Sequence, residues 1–130
     1  MMHIKIVTPR EVYMDKDIDS IHVKTVEGEI TLLPNHTPIF AALVPCPMLI
    51  GHTSQIDEYA LSGGFLKMEN KNVLILTDAV EGKGEIDIER AQAAYKRAKE
   101  RIEKKDADTN MRRANLALQR AITRINVYGK

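Results

Sequence analysis

The pattern of apolar and polar positions changes its period once along the 130 residues. Up to Thr77, short apolar and β-branched runs follow one another, separated by Pro, Gly, Asn and Ser. Ile21, Val23 and Thr25 alternate with polar residues, which is typical of a half-buried strand. Many short strands with regular turns predict an all-β sandwich or barrel. We expect strands at residues 3–7, 11–14, 19–26, 29–33, 38–44, 48–50, 56–61, 64–68 and 73–77, and a turn at 45–47.

From residue 86 onward the apolar positions follow a helical period. They are spaced 3, 4, 3 and 4 residues apart in each of two series, Ile88, Ala91, Tyr95, Ala98, Ile102 and Met111, Ala114, Leu118, Ala121, Ile125. Two such seams joined by a short connection predict an antiparallel helical hairpin, with Asp106 or Asp108 as N-cap of the second helix. Because the seams hold few large apolar groups, the pair is marginal alone. We therefore expect the hairpin to dock on another surface and to detach from it.

These two periods predict an α+β protein with two modules. Residues 1–84 form an N-terminal all-β sandwich, and residues 85–130 form the C-terminal antiparallel two-helix hairpin. The joint is residues 85–91, which follow all five prolines and all four histidines. The single cysteine excludes an intrachain disulfide. No apolar run approaches the ~20 residues of a membrane span, and the first residues lack the apolar segment of a signal peptide.

Charge divides at the same joint. Residues 1–84 carry 7 Lys and Arg against 11 Asp and Glu, a net charge of −4, and residues 85–130 carry 12 against 7, a net charge of +5. Residues 109–130 contain five basic residues and no acidic one. A helix whose charged side chains are all basic predicts an acidic partner. Alternatively, the two oppositely charged modules simply attract each other. The near-neutral total and the lack of interleaved aromatic residues disfavour nucleic acid.

The arginines of the hairpin recur at helical spacing. Arg90 and Arg97 are seven residues apart, as are Arg113 and Arg120, with Arg124 one turn further on. Such a set could bind phosphates through guanidinium groups, or it could be a solvated cationic face, which the pattern alone favours. The sequence contains no glycine-rich phosphate loop and no second ligand near His36 at metal spacing. Nothing in it predicts an enzyme.

Four segments, taken in order, resemble the epsilon subunit of bacterial F-type ATP synthase. They are IVTP at residues 6–9, LPNHTPI at 33–39, LSGGFL at 61–66 and IDIERA at 86–91. The resemblance implies the same sandwich and helix pair in a non-catalytic subunit. The chain departs from the family at Asn35 and Cys46, where glycine is usual.

The resemblance also implies a place in the rotor. The sandwich would couple the gamma subunit to the c-subunit ring, with Glu29 and His36 on the c-ring or gamma side. The hairpin would inhibit ATP hydrolysis by the alpha/beta head, with Arg113, Arg120 and Arg124 on an acidic segment of beta. The protein would be peripheral, on the cytoplasmic face of the cell membrane, with no span of its own. The alternative is a free-standing nucleotide-sensing adaptor without a rotary partner.

Finally, the resemblance implies ATP, with or without magnesium, as a regulatory ligand of the folded hairpin. The family motif I-D-x-x-R-A is fully matched by the segment that begins at Ile86. With this match, a phosphate-binding cluster of arginines is favoured over a solvated cationic face. The implied ATP-binding residues are Glu81, Ile86, Asp87, Arg90, Ala91, Arg97, Arg113, Arg120 and Arg124.

Overall fold

A computed structural model describes residues 1–104 and 110–129. It contains ten strands, a short 3-10 helix at Lys83–Glu85 and two long helices. The strands are β1 (Met2–Val7), β2 (Val12–Ile18), β3 (Ser20–Thr25), β4 (Gly28–Leu32), β5 (Ile39–Leu43), β6 (Cys46–His52), β7 (Gln55–Leu61), β8 (Gly64–Glu69), β9 (Asn72–Leu76) and β10 (Val80–Gly82), and the helices are α1 (Ile88–Lys104) and α2 (Met111–Tyr128). This confirms an N-terminal β-sandwich followed by two C-terminal helices.

The ten strands are hydrogen-bonded in the order β10-β7-β6-β3-β5-β8-β9-β1-β2, and β4 pairs with β3. Strand β3 connects the two halves, because it pairs with β6 along one stretch and with β5 only at Thr25 and Leu43. All pairs are antiparallel except β1 with β9, where His3 lies beside Asn72 and Val7 beside Leu76. The chain therefore folds one continuous sheet over on itself.

Alternating residues of both halves fill the space between them. The buried core draws on every strand from β1 to β10 and contains only residues between Met2 and Val80. On β3 the predicted face is confirmed, since Ile21, Val23 and Thr25 are all buried. In a β-sandwich, every second side chain of each strand points inward, and the inward side chains of the two layers form the core. The hairpin contributes nothing to this cluster.

Three features of the sheet differ from the sequence prediction. Strand β10 was not predicted, because its three residues are too few for a periodic pattern to be visible. Strand β2 runs four residues past Met14, through three consecutive charged residues and then Ile18. The predicted turn at 45–47 is wrong: Cys46 and Pro47 begin β6, opposite Leu61 and Ala60 on β7. A proline at the start of a strand is compatible with pairing, so the flanking prolines do not enforce a turn.

The two helices form the predicted hairpin, and α2 is the one that docks on the sandwich. Helix α2 contacts both α1 and the strands β6 and β7, whereas α1 packs chiefly on α2. The alanines of both predicted seams are buried, namely Ala91, Ala98, Ala114 and Ala121. Helix α2 buries a second face through Thr123 and Val127, which the single-seam prediction missed.

The N-cap of α2 is Asn110, not an aspartate. Its side-chain oxygen accepts a hydrogen bond from the backbone N–H of Arg113 at 3.1 Å. The helix begins at Met111, so the cap position falls later than predicted, and Asp106 and Asp108 lie outside the described residues. Asparagine satisfies the free N–H groups of a first turn as well as aspartate does.

Candidate functional site

The basic face of α2 lies against carboxylates of the sandwich. Arg124 donates from Nε to Oε1 of Glu81 on β10 at 2.5 Å, and both side chains are 28% exposed. One turn earlier, Arg120 donates from Nε to the carbonyl oxygen of Ser62 at 3.3 Å, and its guanidinium lies 3.8 Å from the carboxylate of Asp78. Three of the predicted site residues, Glu81, Arg120 and Arg124, therefore hold α2 on the sandwich in this conformation.

The remaining three arginines of the predicted set are exposed. Within the described part of the chain, the guanidinium groups of Arg90, Arg97 and Arg113 form no hydrogen bond or ion pair with another residue. Arg90 lies in the first turn of α1, at the end of the hairpin where α2 finishes. The structure thus divides the five arginines into two that are paired and three that are free.

The matched segment at residues 86–91 forms the start of α1. Asp87 accepts a hydrogen bond on its side chain from the backbone N–H of Arg90 at 3.1 Å, so it caps the helix. Ile86 is buried against Ala60 of β7 and Val127 of α2. Ala91 is buried one turn into the helix. The motif therefore has a structural role here that is independent of any ligand.

The cationic groups fit an oligophosphate chemically. Guanidinium groups bind phosphate oxygens through two parallel N–H donors, and three of them are unpaired. A cavity of about 400 Å³ lies beside Arg120 and Asp78, lined also by Ser62, Gly63 and Phe65. Arg90, Arg97 and Arg113 do not line it. The five arginines are therefore not gathered around this cavity.

An apolar surface that the sequence analysis missed crosses the other half of the sheet. We call it the outer apolar strip, and it consists of Phe40, Phe65, Leu76 and Val12, which are exposed by about half or more. The rings of Phe40 and Phe65 stack with centroids 5.9 Å apart. The available signal was the alternation in strand β8, where Phe65 adjoins the buried Leu66 and therefore faces outward. Grouped exposed apolar side chains are typical of interaction sites.

The residues predicted for the c-ring or gamma side lie at exposed positions in and near strand β4. Glu29 is on β4, with a carboxylate oxygen 3.6 Å from Nε2 of His22. His36 is in the loop after β4, and its Nδ1 lies 2.7 Å from the carbonyl oxygen of Thr37. Both side chains remain accessible to a partner. Glu81, the partner of Arg124, is on β10, and β10 and β4 are far apart in the order of the strands. Glu29 and His36 therefore do not adjoin the arginines of α2.

A third polar cluster lies on the outer face of β1 and β2. His3 contacts two carboxylates of the neighbouring strand, with Nδ1 2.8 Å from Asp17 and Nε2 against Asp15. The hydrogen bond with Asp17, and then that with Asp15, raises the pKa of the His3 imidazole. A cavity of about 710 Å³ adjoins it, between Lys5, Lys67 and the apolar side chains of β9.

Two further observations concern the described residues alone. No group of three or more His, Cys, Asp or Glu side chains among them is arranged to hold a metal ion. Neither α1 nor α2 is long and apolar enough to cross a membrane. The prediction that no protein metal site is formed concerns the whole chain and stays a prediction.

Comparison with known proteins covers both modules. The family described as "ATP synthase, Delta/Epsilon chain, beta-sandwich domain" matches residues 1–83, and "ATP synthase, Delta/Epsilon chain, long alpha-helix domain" matches residues 85–129. The chain is 38% identical over 130 residues to the ATP synthase epsilon chain of Halalkalibacterium halodurans, covering 99% of this chain and 98% of that one. It is 42% identical over 126 residues to the epsilon chain of Bacillus velezensis, covering 97% and 96%.

Solved structures support the same fold. A chain of the Euglena gracilis mitochondrial ATP synthase superposes with a TM-score of 0.78 at 24% identity, over 89% of this chain and 74% of that one. A chain of the Tetrahymena thermophila mitochondrial ATP synthase central stalk and c-ring superposes with a TM-score of 0.58 at 15% identity, over 98% and 93%. Sequence identity over nearly the full length of the bacterial relatives is the stronger observation. The chain therefore belongs to the family of ATP synthase epsilon chains, a non-catalytic subunit of that complex.

Proposed function

We propose that this epsilon chain is a rotor subunit that couples gamma to the c ring and inhibits ATP hydrolysis through a detachable hairpin. The observation that carries the proposal is how α2 is held on the sandwich. Among its buried side chains only Val127 is a large apolar group, the others being Ala114, Ala121 and Thr123. The large aliphatic groups of Leu118, Ile122 and Ile125 are only partly buried. Burying one valine contributes roughly 1.5–3 kcal/mol. The ion pair of Arg124 with Glu81 adds a modest amount, so the docked hairpin is marginal and reversible.

Detachment would change which charges are available to a partner. In the docked conformation Arg120 and Arg124 contact Asp78 and Glu81 of the sandwich. Once released, these guanidinium groups would join Arg113 as an unpaired basic face. That face complements an acidic segment, which we assign to the beta subunit of the alpha/beta head. The same arginines cannot serve both partners at once, so docking and inhibition exclude each other.

We assign the outer apolar strip to gamma. The strip joins β5, β8, β9 and β2, while α2 occupies β6 and β7. The docked α2 reaches one end of the strip, where Arg120 lines a cavity with Phe65 and Leu76, so a partner on the strip would lie beside the docked helix. Glu29 and His36 lie elsewhere on the surface and stay assigned to the c-ring or gamma side. With these partners the protein would be peripheral to the membrane, on its cytoplasmic face.

Co-purification tests the rotor assignment. Phe65→Ser removes a stacked ring from the strip and should reduce recovery of the chain with gamma by at least about tenfold, since aromatic side chains dominate interface energetics. Ile56→Ser is the matched control, because Ile56 is 69% exposed on β7, outside the strip. Equal losses from both variants would contradict the assignment. A wild-type chain that purifies alone would instead support a free-standing adaptor.

We further propose that ATP binds the docked hairpin as a regulatory ligand. Arg90 and Arg97 would contact its phosphates, because their guanidinium groups are free to do so. Arg124 and Arg120 would join them by exchanging their present partners. Arg113 lies in the first turn of α2, at the opposite end of the hairpin, and stays in the predicted set on the resemblance alone. Asp87 would remain the N-cap of α1. Ile86 and Ala91 are buried and would hold α1 in its position. Glu81, once its ion pair with Arg124 is broken, would face the adenine base of ATP. Magnesium, if present, would be bound through the phosphates.

A ligand titration tests this separately from the rotor role. ATP that binds only the docked form stabilises it by RT ln(1 + [ATP]/Kd), which is ~1.4 kcal/mol at ten times Kd. Arg90→Ala and Arg90→Lys should both weaken binding, since lysine lacks the bidentate fork. Arg101→Ala is the control, being an exposed arginine of α1 outside the predicted set. If millimolar ATP neither raises the wild-type Tm nor slows amide exchange in α2, the chain is not an ATP sensor.

A further inference from the structure

The segment that joins the two modules is fastened to the sandwich at a carboxylate. Glu85 ends the 3-10 helix Lys83–Glu85, and its Oε1 accepts two hydrogen bonds. One comes from the backbone N–H of Gly82 at 2.8 Å, and the other comes from the phenol of Tyr13 on β2. The turn is closed by a further bond from the N–H of Ile86 to the carbonyl oxygen of Lys83.

Aromatic packing surrounds this carboxylate. The ring of Tyr13 meets that of Tyr59 on β7 edge to face, with centroids 6.3 Å apart. Tyr59 is also the residue opposite Gly82 in the pairing of β10 with β7. A side chain at position 82 would come within 3.2 Å of the Glu85 carboxylate and 3.6 Å of the Tyr59 ring, so glycine keeps the contact close. Strands β2, β7 and β10 therefore all hold the segment.

The attachment ends immediately after Glu85. Ile86 is buried between Ala60 of the sandwich and Val127 of α2, so part of its contact is lost when α2 leaves. Asp87 caps α1 and belongs to the hairpin. The last bond that fixes the chain to the sandwich alone is therefore the one at Glu85.

We propose that Tyr13 and Glu85 clamp residues 82–85 to the sandwich in both states of the hairpin, so that the hinge is the Ile86–Asp87 peptide. This rests on the proposed detachment of the hairpin and specifies where it pivots. Tyr13 and Glu85 are thus positioning residues: they set the point from which the helices extend. The hinge lies two residues beyond the boundary at 84 that the change in sequence pattern predicts.

Amide exchange of the full chain tests the hinge. Val127→Asp places a charge in the docking contact and should speed exchange at Ala121 of α2 by about tenfold or more, while Gly82 stays within about twofold of wild type. Leu116→Asp is the control, because Leu116 is exposed on the same helix. Gly82 and Ala121 accelerating together would overturn the clamp. No change at Ala121 would contradict the detachable hairpin itself, and with it the hinge.

A second pair of variants tests the clamp directly. Tyr13→Phe removes only the donor and should speed exchange of the Gly82 amide by about tenfold, since hydrogen bonds to charged groups are among the stronger ones. Tyr59→Phe is the matched control, because within the described residues the Tyr59 hydroxyl has no hydrogen-bond partner. Glu85→Gln should act in the same direction as Tyr13→Phe. An unchanged Gly82 amide in Tyr13→Phe would overturn the proposal.

Discussion

Arg124 on the last helix and Glu81 on the last strand form an ion pair, with Nε and Oε1 2.5 Å apart. Both side chains are largely shielded, at 28% exposure. The pair joins residues 43 positions apart and fixes α2 over the edge of the sheet. Among the described residues, it is also the one hydrogen bond or ion pair that joins the side chains of two residues of the predicted ATP set.

Removing the charge of Glu81 should loosen α2 without unfolding the sandwich. We expect Glu81→Gln to lower the free energy of docking by about 1 kcal/mol, because the pair is neither fully exposed nor fully buried. Amide exchange in α2, measured at low and high salt, checks this. Glu100→Gln on the exposed face of α1 is the control. Equal exchange rates in the two variants would show that the pair does not hold the helix.

The contact between the helices depends on a small side chain at Ala121, which is fully buried. Ala121→Leu should push the axes apart and destabilise the hairpin by roughly 1–3 kcal/mol, the usual cost of overpacking. Ala93→Leu, at an exposed position of α1, should change stability by no more than about 0.5 kcal/mol. Helix-specific melting of the two variants tests this, and a tolerated Ala121→Leu would argue against close packing.

The His3 cluster predicts a pH dependence of stability. Asp17, and then Asp15, raise the pKa of His3 in the folded protein above that of the unfolded chain, about 6.5. The folded state therefore binds the proton more tightly, and this stabilisation is complete below the unfolded pKa and disappears as pH rises through the folded value.

Titration of the His3 ring by NMR tests that prediction. Asp15→Asn and Asp17→Asn should each lower the pKa of His3. His3→Gln should lack the part of the pH-dependent stability loss that wild type shows between the unfolded and folded pKa values. If the His3 pKa in either asparagine variant equals that of wild type, the carboxylates are not its cause.

Gly64 allows β8 to approach β9 closely. It has φ +122°, and a Cβ at this position would lie 2.0 Å from the carbonyl oxygen of Leu76. Gly64→Ala should lower the free energy of unfolding of the sandwich by at least about 2 kcal/mol, through strain and backbone displacement. Gly84→Ala is the control, because a Cβ there meets nothing within 4 Å. Denaturant unfolding separates the two, and a stable Gly64→Ala would refute the close approach.

Much of the fold follows from local patterns in the sequence. The strict alternation around Val23 and the repeated turn residues were sufficient for the sandwich, and the paired seams were sufficient for the hairpin. These are short-range signals, and the buried alanines at 91, 98, 114 and 121 lie where the 3.6-residue period places them. The helical spacing of the arginines also singled out Arg124, whereas Glu81 entered the predicted set through family resemblance alone.

The parts that were missed depend on long-range contacts. Val127 is buried only because β7 and Ile86 lie beneath it, and no spacing within α2 indicates that. Cys46 is in a strand because Leu61 lies opposite, although two prolines flank it. The clamp at Glu85 joins residues 72 positions apart. Such contacts arise from tertiary structure, which overrides local preference at short or ambiguous segments.

The parallel pairing of β1 with β9 bears on the order in which the chain acquires structure during synthesis. The first strand has partners on both sides, and one of them is the ninth, about seventy residues later. Closing so long a loop is slow, and the first strand must wait for Asn72–Leu76 to leave the ribosome. The helices follow it out of the exit tunnel, so all the strands that α2 docks on leave the ribosome before α2 does. The hairpin, to which we assign the inhibition, thus becomes available only after the whole sandwich has been synthesised.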